Sequence, residues 1–365
     1  MAADNAKHRV AVVGGAGDWG RRYTWAYAHH PDADLIAIVD SAAERRHVFA
    51  EKYGIPNEYD TIEDLFAHDT PDIVAAPLPV SAAHDVVIAC AEAGVKGVSC
   101  EKPIAARLSD ADEMVDVCRE RGVAFACGNF LWEIPFLKGA AEWVQARGGI
   151  GEFKEAYIDG YLAQGEQVSG FGCVILNFLR RLTGSDVEWV EGWTIPGEAA
   201  FAEADCSAYG RLGLSCGIGC EAKPPAPKGL SEVKVALFGD NGAVFLPGPQ
   251  PNFVQGTGND MRPVSPDFLD DVWTDHTPGG SFLPVVESLM RCVELGEESP
   301  CSGHDYRHVL EIAIALKLSA REGHRRVTLP LEDRSLRISP TEYRFKGGDV
   351  TGWDVIGRKG SPEPL

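Results

Sequence analysis

The sequence predicts an α/β chain. A doubly wound parallel sheet of Rossmann type comes first, followed by a second α/β domain with a large, open, mostly antiparallel sheet. Three observations carry this. Short apolar runs alternate with helix-like stretches through the first third, and a glycine-rich turn follows the first run. After about Gly128 the pattern changes to alternating segments separated by Gly and Pro.

The buried-strand runs are Val10–Val13, Leu35–Val39, Ile73–Ala76, Val95–Cys100 and Val123–Ala126. Helix-like stretches Trp19–Ala28, Ala42–Tyr53, Ala82–Ala93 and Asp110–Arg121 lie between them, the last with Ser109 as N-cap and Asp112 three residues on. Thr61 opens a further short helix. This order implies right-handed βαβ units. Beyond Gly128 come a helix at Pro135–Arg147 and alternating segments Phe153–Tyr161 and Val187–Ile195. Strands at Ser207–Leu212, Val233–Phe238 and Ala243–Phe245 follow, then a long helix Asp305–Glu322 with Gly323 in the C′ role. Pro263–Gly280 and the segment after Arg344 read as loops. The expected division is 1–128, 129–345 and a tail at 346–365.

The 365 residues are too many for one ordinary core and suit two domains. Hydrophobic content of 45% and charged content of 24% are those of a globular protein. No apolar run approaches ~20 residues and Met1–Arg9 has no apolar signal core, so a cytoplasmic protein without a membrane partner is expected. A net charge of −20 argues against nucleic acid, whose phosphates require clustered Lys and Arg. Ten cysteines raise the question of metal. Cys216 and Cys220, with Cys206 nearby, lack the paired ligands of a structural zinc, so no metal and free thiols are expected.

The chemistry begins at Gly14-Gly15-Ala16-Gly17-Asp18-Trp19-Gly20. Gly15, Gly17 and Gly20 fit G-x-G-x-x-G directly after a strand. The first glycine permits the tight turn, the second the approach of a pyrophosphate, and the third close helix–strand packing. The helix start adds amides and a positive dipole end. Asp40, at the end of the second run, can accept hydrogen bonds from an adenosine ribose and repel a 2′-phosphate, which favours NAD. Arg45 and Arg46 leave NADP open, and a helix N-cap is the alternative for Asp40. Glu101 and Lys102, in Cys100-Glu101-Lys102-Pro103, fall at the strand edge where open α/β sheets bind ligands. A buried lysine there can hydrogen-bond a substrate oxygen or move its proton; an exposed turn lysine is the plainer reading.

These features together resemble the Gfo/Idh/MocA family, the glucose-fructose oxidoreductase and inositol dehydrogenase group. The resemblance rests on the glycine turn, Pro77-Leu78-Pro79 after the third run, His84, the Glu101-Lys102-Pro103 triplet, Gly128-Asn129 and Gly149-Ile150-Gly151-Glu152, with Asp305–Glu322 and Val327–Leu331 later. It implies a sheet domain that supports dimers or tetramers, and hydride transfer at nicotinamide C4 with Lys102 in the catalytic set. It also implies cofactor contacts from Gly15, Ala16, Gly17, Asp18, Trp19, Gly20, Asp40, Ser41, Arg45, Pro77, Leu78, Pro79, His84, Glu101, Lys102 and Asn129.

One departure stands out. The family's Asp and the acid/base His four residues later fall here on Gly170 and Val174, and its later Asp on Asn177. Neither Gly nor Val transfers a proton. The remaining donor candidates are Tyr161, Asp159, Asn129 and His276, against plain sheet packing for the Tyr and solvation for the His. Lys102, Asn129, Trp132 and Asn177 are the substrate-side candidates, with Trp19 and Phe130 as walls or as core. The expected function is NAD(P)-dependent interconversion of a secondary alcohol and a ketone on a sugar, amino sugar or cyclitol. A redox-neutral enzyme with transient oxidation and a non-catalytic sensor are the alternatives.

Overall fold

A computed structural model describes residues 7–128, 135–146, 149–158, 167–224, 235–246, 252–269 and 280–365, without the side chains of 135, 136, 171 and 269. The first part is a six-stranded parallel sheet in the order β3-β2-β1-β4-β5-β6. Its strands are β1 (His8–Val13), β2 (Ala33–Val39), β3 (Asn57–Tyr59), β4 (Ile73–Ala76), β5 (Gly97–Cys100) and β6 (Ala124–Cys127). β4 and β5 are buried at every residue, and β4, Ile73–Ala76, accordingly reads as an unbroken apolar run. The helices are α1 (Gly20–His29), α2 (Ala43–Tyr53), α3 (Ile62–His68), α4 (Val80–Ala93) and α5 (Leu108–Arg121). The order reverses between β1 and β4, so their carboxyl ends frame a crevice.

Helix starts follow the available acceptors. Thr61 caps α3 by accepting from the Asp64 amide. Ser109 does not cap α5, which begins earlier. The amides of Leu108 and Ser109 donate to the carbonyls of Leu336 and Arg334, so residues distant in sequence do the capping.

The second part is a nine-stranded sheet, antiparallel except where β7 and β10 pair. It comprises β7 (Phe153–Ile158), β8 (Val187–Ile195), β9 (Ser207–Leu214), β10 (Gly219–Ala222), β11 (Val235–Gly239), β12 (Gly242–Leu246), β13 (Asn252–Gln255), β14 (Arg262–Val264) and β15 (Val327–Thr328). The helices that follow β6 are α6 (Pro135–Gln145), α7 (Cys173–Thr183), α8 (Leu283–Leu295) and α9 (Gly303–Arg321). A capping box of Ser302 and Asp305 starts α9, which packs on β8 and against α5 and α7, joining the two parts.

The chain crosses back in two places that the sequence division does not foresee. Residues 283–295, expected within the second domain, form α8 on the first sheet. There Phe282, Val285, Val286, Leu289 and Met290 share a core with Val10, Val12, Ile38 and Ile73. The tail, expected as loop, forms α10 (Glu342–Lys346), α11 (Gly348–Thr351) and a 3-10 turn at Trp353–Ile356. It is tied to the first part by Arg358 on Asp18 at 2.7 Å and by Tyr53 donating to the Leu365 carbonyl at 2.9 Å.

All ten cysteines are free, and only Cys216 is exposed. Among the described residues no group of three His, Cys, Asp or Glu side chains could hold a metal ion, and no helix is long and apolar enough to cross a membrane.

Candidate active site

The turn after β1 is closed by sterics. Gly14 has φ +71°, and a Cβ at Gly20 would lie 1.9 Å from the Gly14 carbonyl oxygen. The tight-turn role assigned to Gly15 therefore belongs to Gly14. Gly15 is needed for packing instead: a Cβ there would sit 2.9 Å from both Ile38 and Thr24, and Thr24 donates to the Gly15 carbonyl. The Gly17 amide donates to the Gly14 carbonyl at 3.0 Å, and the ten-residue α1 starts at Gly20 with its dipole directed at the crevice.

Asp40 follows β2 and is buried. Its carboxylate accepts from the amides of Ala16 at 3.2 Å and Ala42 at 3.0 Å, so it braces the glycine turn rather than capping α2. Arg45 stands 3.3 Å away. A cavity of about 550 Å³ begins here and runs past the turn. Gly14, Gly17, Asp18, Trp19, Asp40, Ser41, Arg45, Pro77, Leu78, Pro79, Glu101 and Lys102 all line it. That size suits a small-molecule ligand. The residues fit a dinucleotide, because the turn leaves no room for a Cβ where a diphosphate must approach and a carboxylate stands where a ribose must end.

At the other end stands Lys102, partly buried at the wall of the cavity. Burial, then the like charge of Arg344, holds its ammonium below the ordinary lysine range. Its Nζ lies 5.1 Å from the centre of the Trp19 ring. Gly128 lets the lysine stem pass, since a Cβ there would come within 2.8 Å of Lys102 Cγ and 3.1 Å of Tyr306. Tyr306 in turn donates to the Gly128 carbonyl at 2.7 Å. Glu101 accepts from the Tyr23 hydroxyl at 2.8 Å. Burial and the Glu101 charge push that phenol well above its usual range, so the proton stays on Tyr23.

The segment carrying Gly170 is a π-helical turn, Val168–Gly172, leading directly into α7. A Cβ at Gly170 would lie 2.4 Å from Gln167 Oε1 and 3.1 Å from Arg344 Nε. The space of an acidic side chain is thus filled by the 2.9 Å hydrogen bond from Arg344 to Gln167. Asp205 anchors the turn by accepting from the Val168 and Ser169 amides and the Ser169 hydroxyl, and burial raises its carboxyl above the usual range. Val174 is buried in the core.

Gly15, Ala16 and Gly20 stand behind the cavity wall as parts of the turn, and His84 and Asn177 fall away from it. His84 faces Asp85 at 2.8 Å and Glu113 at 3.1 Å, on the side of α4 toward α5. Asn177 points into the core and donates to Cys301 Sγ at 3.3 Å. Asp18 lines the cavity, but its carboxylate is engaged by Arg358. Asn129, Phe130, Trp132, Asp159, Tyr161 and His276 lie outside the described residues. Sequence reasoning missed Tyr343, Arg344, Asp349 and Trp353, cavity residues carried by the tail. The signal was there: a stretch with Tyr343, Phe345 and Trp353 among arginines is richer in aromatics than a solvated tail.

A parallel sheet with a glycine turn, a carboxylate after β2 and a partly buried lysine around one cavity defines the class of NAD(P)-dependent oxidoreductases. Residues 8–129 match the oxidoreductase family with an NAD-binding Rossmann fold, the Gfo/Idh/MocA family. Over its length the chain is similar to D-apiose dehydrogenase of Paraburkholderia graminis, 26% identical over 350 residues that span 90% of this chain and 92% of that one. In structure it is similar to an oxidoreductase from Agrobacterium radiobacter in complex with NAD+, L-tartaric acid and magnesium, with TM-score 0.72, 21% identity, and 88% and 98% of the two chains covered. It is also similar to aldose-aldose oxidoreductase from Caulobacter crescentus complexed with glycerol, with TM-score 0.71, 22% identity, and 88% and 100% covered. Residues 8–129 thus carry the NAD-binding domain of the Gfo/Idh/MocA oxidoreductases, and the chain is an NAD(P)-dependent enzyme.

Proposed function

We propose that the protein interconverts a secondary alcohol and a ketone on a sugar, amino sugar or cyclitol. The observation that supports this reading is the single cavity that joins the Gly14–Gly17 turn and Asp40 to the partly buried Lys102. The turn amides and the start of α1 hold the diphosphate, Asp40 holds the adenosine ribose, and Pro77–Pro79 border the nicotinamide. When bound, NAD(H) supplies the hydride acceptor or donor at nicotinamide C4.

Lys102 holds the reacting oxygen by a hydrogen bond from Nζ. In ketone reduction its ammonium gives up the proton, and in alcohol oxidation its neutral amine takes one. Burial makes that exchange accessible by lowering the cost of the neutral form. With Gly170 and Val174 at the family's Asp and His positions, no acid/base partner stands there, and Lys102 carries the transfer. The homodimer or homotetramer and the cytoplasmic setting expected from the sequence belong to this reading.

The test is isotopic. Polyols and cyclitols deuterated at the carbinol carbon, incubated with NAD+, should yield NADH carrying deuterium at C4 for at least one compound. No transfer from any member of a panel covering aldoses, uronates, amino sugars and inositols would reject the reading.

A second reading is favoured by one observation, the tail that lines the cavity at Tyr343, Gly347–Val350 and Trp353. A cover of this kind slows cofactor exchange, which suits redox-neutral sugar modification with a retained dinucleotide. Turnover without added NAD+, on protein purified with cofactor in place, distinguishes it.

A further inference from the structure

Arg45 stands where the two dinucleotides differ. It lies on α2, 3.3 Å from the Asp40 carboxylate, and its guanidinium lines the cavity. A free guanidinium at that position is the natural partner of a 2′-phosphate. This one is not free. Asp349, from α11 in the tail, grips it in a fork, Nη1 to Oδ1 at 2.8 Å and Nη2 to Oδ2 at 2.7 Å. Trp353 steadies the pair: its Nε1 donates to Asp349 Oδ1 at 3.1 Å, and its ring lies 5.5 Å from the guanidinium. The neighbouring Arg46 is also engaged, by Asp60, Glu58 and the Asp40 carbonyl.

We propose that Asp349 is a positioning residue that sets cofactor preference: by holding Arg45 it denies the 2′-phosphate of NADP its cation and so selects NAD. The charge balance follows from the contacts. Asp40 and Asp349 flank one guanidinium, which leaves one carboxylate in excess where a phosphate dianion would arrive. Glu63 also lines the cavity and adds to the repulsion, while Asp60, which lines it too, is balanced by Arg46. Arg45 Nε, buried and without a hydrogen-bond partner among the described residues, is left as a donor for a ribose hydroxyl. The selector thus sits 304 residues from Arg45 in sequence and acts at the same ribose as Asp40.

The inference rests on the cavity being the dinucleotide site, and its test separates the two. Isothermal titration of the full chain with NAD+ and with NADP+ is run on the native protein, Asp349→Asn, Asp349→Glu and Asp349→Asn/Arg45→Ala. The native protein should favour NAD+ by about ten-fold or more, and Asp349→Asn should narrow that ratio by about ten-fold, because Arg45 becomes available to the phosphate. Asp349→Glu should keep most of the native ratio, and the added Arg45→Ala should cancel the gain in NADP+ binding. A merely structural role for Asp349 would weaken both cofactors equally, and that result overturns the proposal. So does a native preference for NADP+, or a ratio unchanged by Asp349→Asn. Binding of neither dinucleotide to the native protein rejects the site itself and the proposal with it.

Discussion

The two ends of the cavity are built by different means. At the dinucleotide end the turn itself is local: Gly14 to Gly20 make it, Asp40 braces it through Ala16, and β1, α1 and β2 are consecutive, with Asp349 of the tail added on Arg45. At the lysine end the parts come from across the chain. Lys102 follows β5, Gly128 follows β6, Gln167 and Gly170 belong to a π-helical turn, and Arg344 arrives from the tail. Local turn chemistry can be read from spacing, whereas a site assembled from distant segments leaves no spacing to read.

The comparison can be broken most forcefully at Lys102. If the lysine end performs proton transfer and the turn performs binding, Lys102→Ala should lower turnover by about 10²- to 10⁴-fold while NAD+ affinity stays within a few-fold. Steady-state kinetics on any substrate found active, paired with calorimetry, checks this. An equal loss of binding and turnover would merge the two ends into one.

A smaller effect sharpens the same division. The Lys102 ammonium is destabilised first by burial and then by Arg344, so its titration lies below the ordinary lysine value of 10.5. For ketone reduction kcat/KM should fall as pH rises through that titration, because the proton donor is lost. For alcohol oxidation it should rise through the same point. Arg344→Gln removes a like charge, stabilises the ammonium and should move the inflection to higher pH in both directions. A pH profile that does not move would take Arg344 out of the electrostatics of Lys102.

How much was legible follows the same line. The parallel strands, the glycine turn, Asp40 and Lys102 were readable because buried runs and turn residues are local signals. The glycine motif counts from Gly15 and so points to it for the tight turn. The backbone instead places the positive φ on Gly14, one residue earlier, where the carbonyl meets Gly20. His84 and Asn177 were placed by order along the chain, but the rotation of α4 and α7 turns them toward Glu113 and Cys301. α8 was unread although Val285, Val286, Leu289 and Met290 carry helical spacing, and its docking on the first sheet is a long-range fact. The tail's part in the cavity is of the same kind. Asp349 has a role only beside Arg45.

The glycine turn is the place where the dinucleotide is to be held, and one calorimetric titration tests this directly. NAD+ should bind the native chain with one site per chain. The Gly20→Ala chain, whose new Cβ would meet the Gly14 carbonyl oxygen at 1.9 Å, should show no measurable binding while keeping its circular dichroism. Native-like affinity in Gly20→Ala, or no NAD+ binding to the native chain, would contradict it.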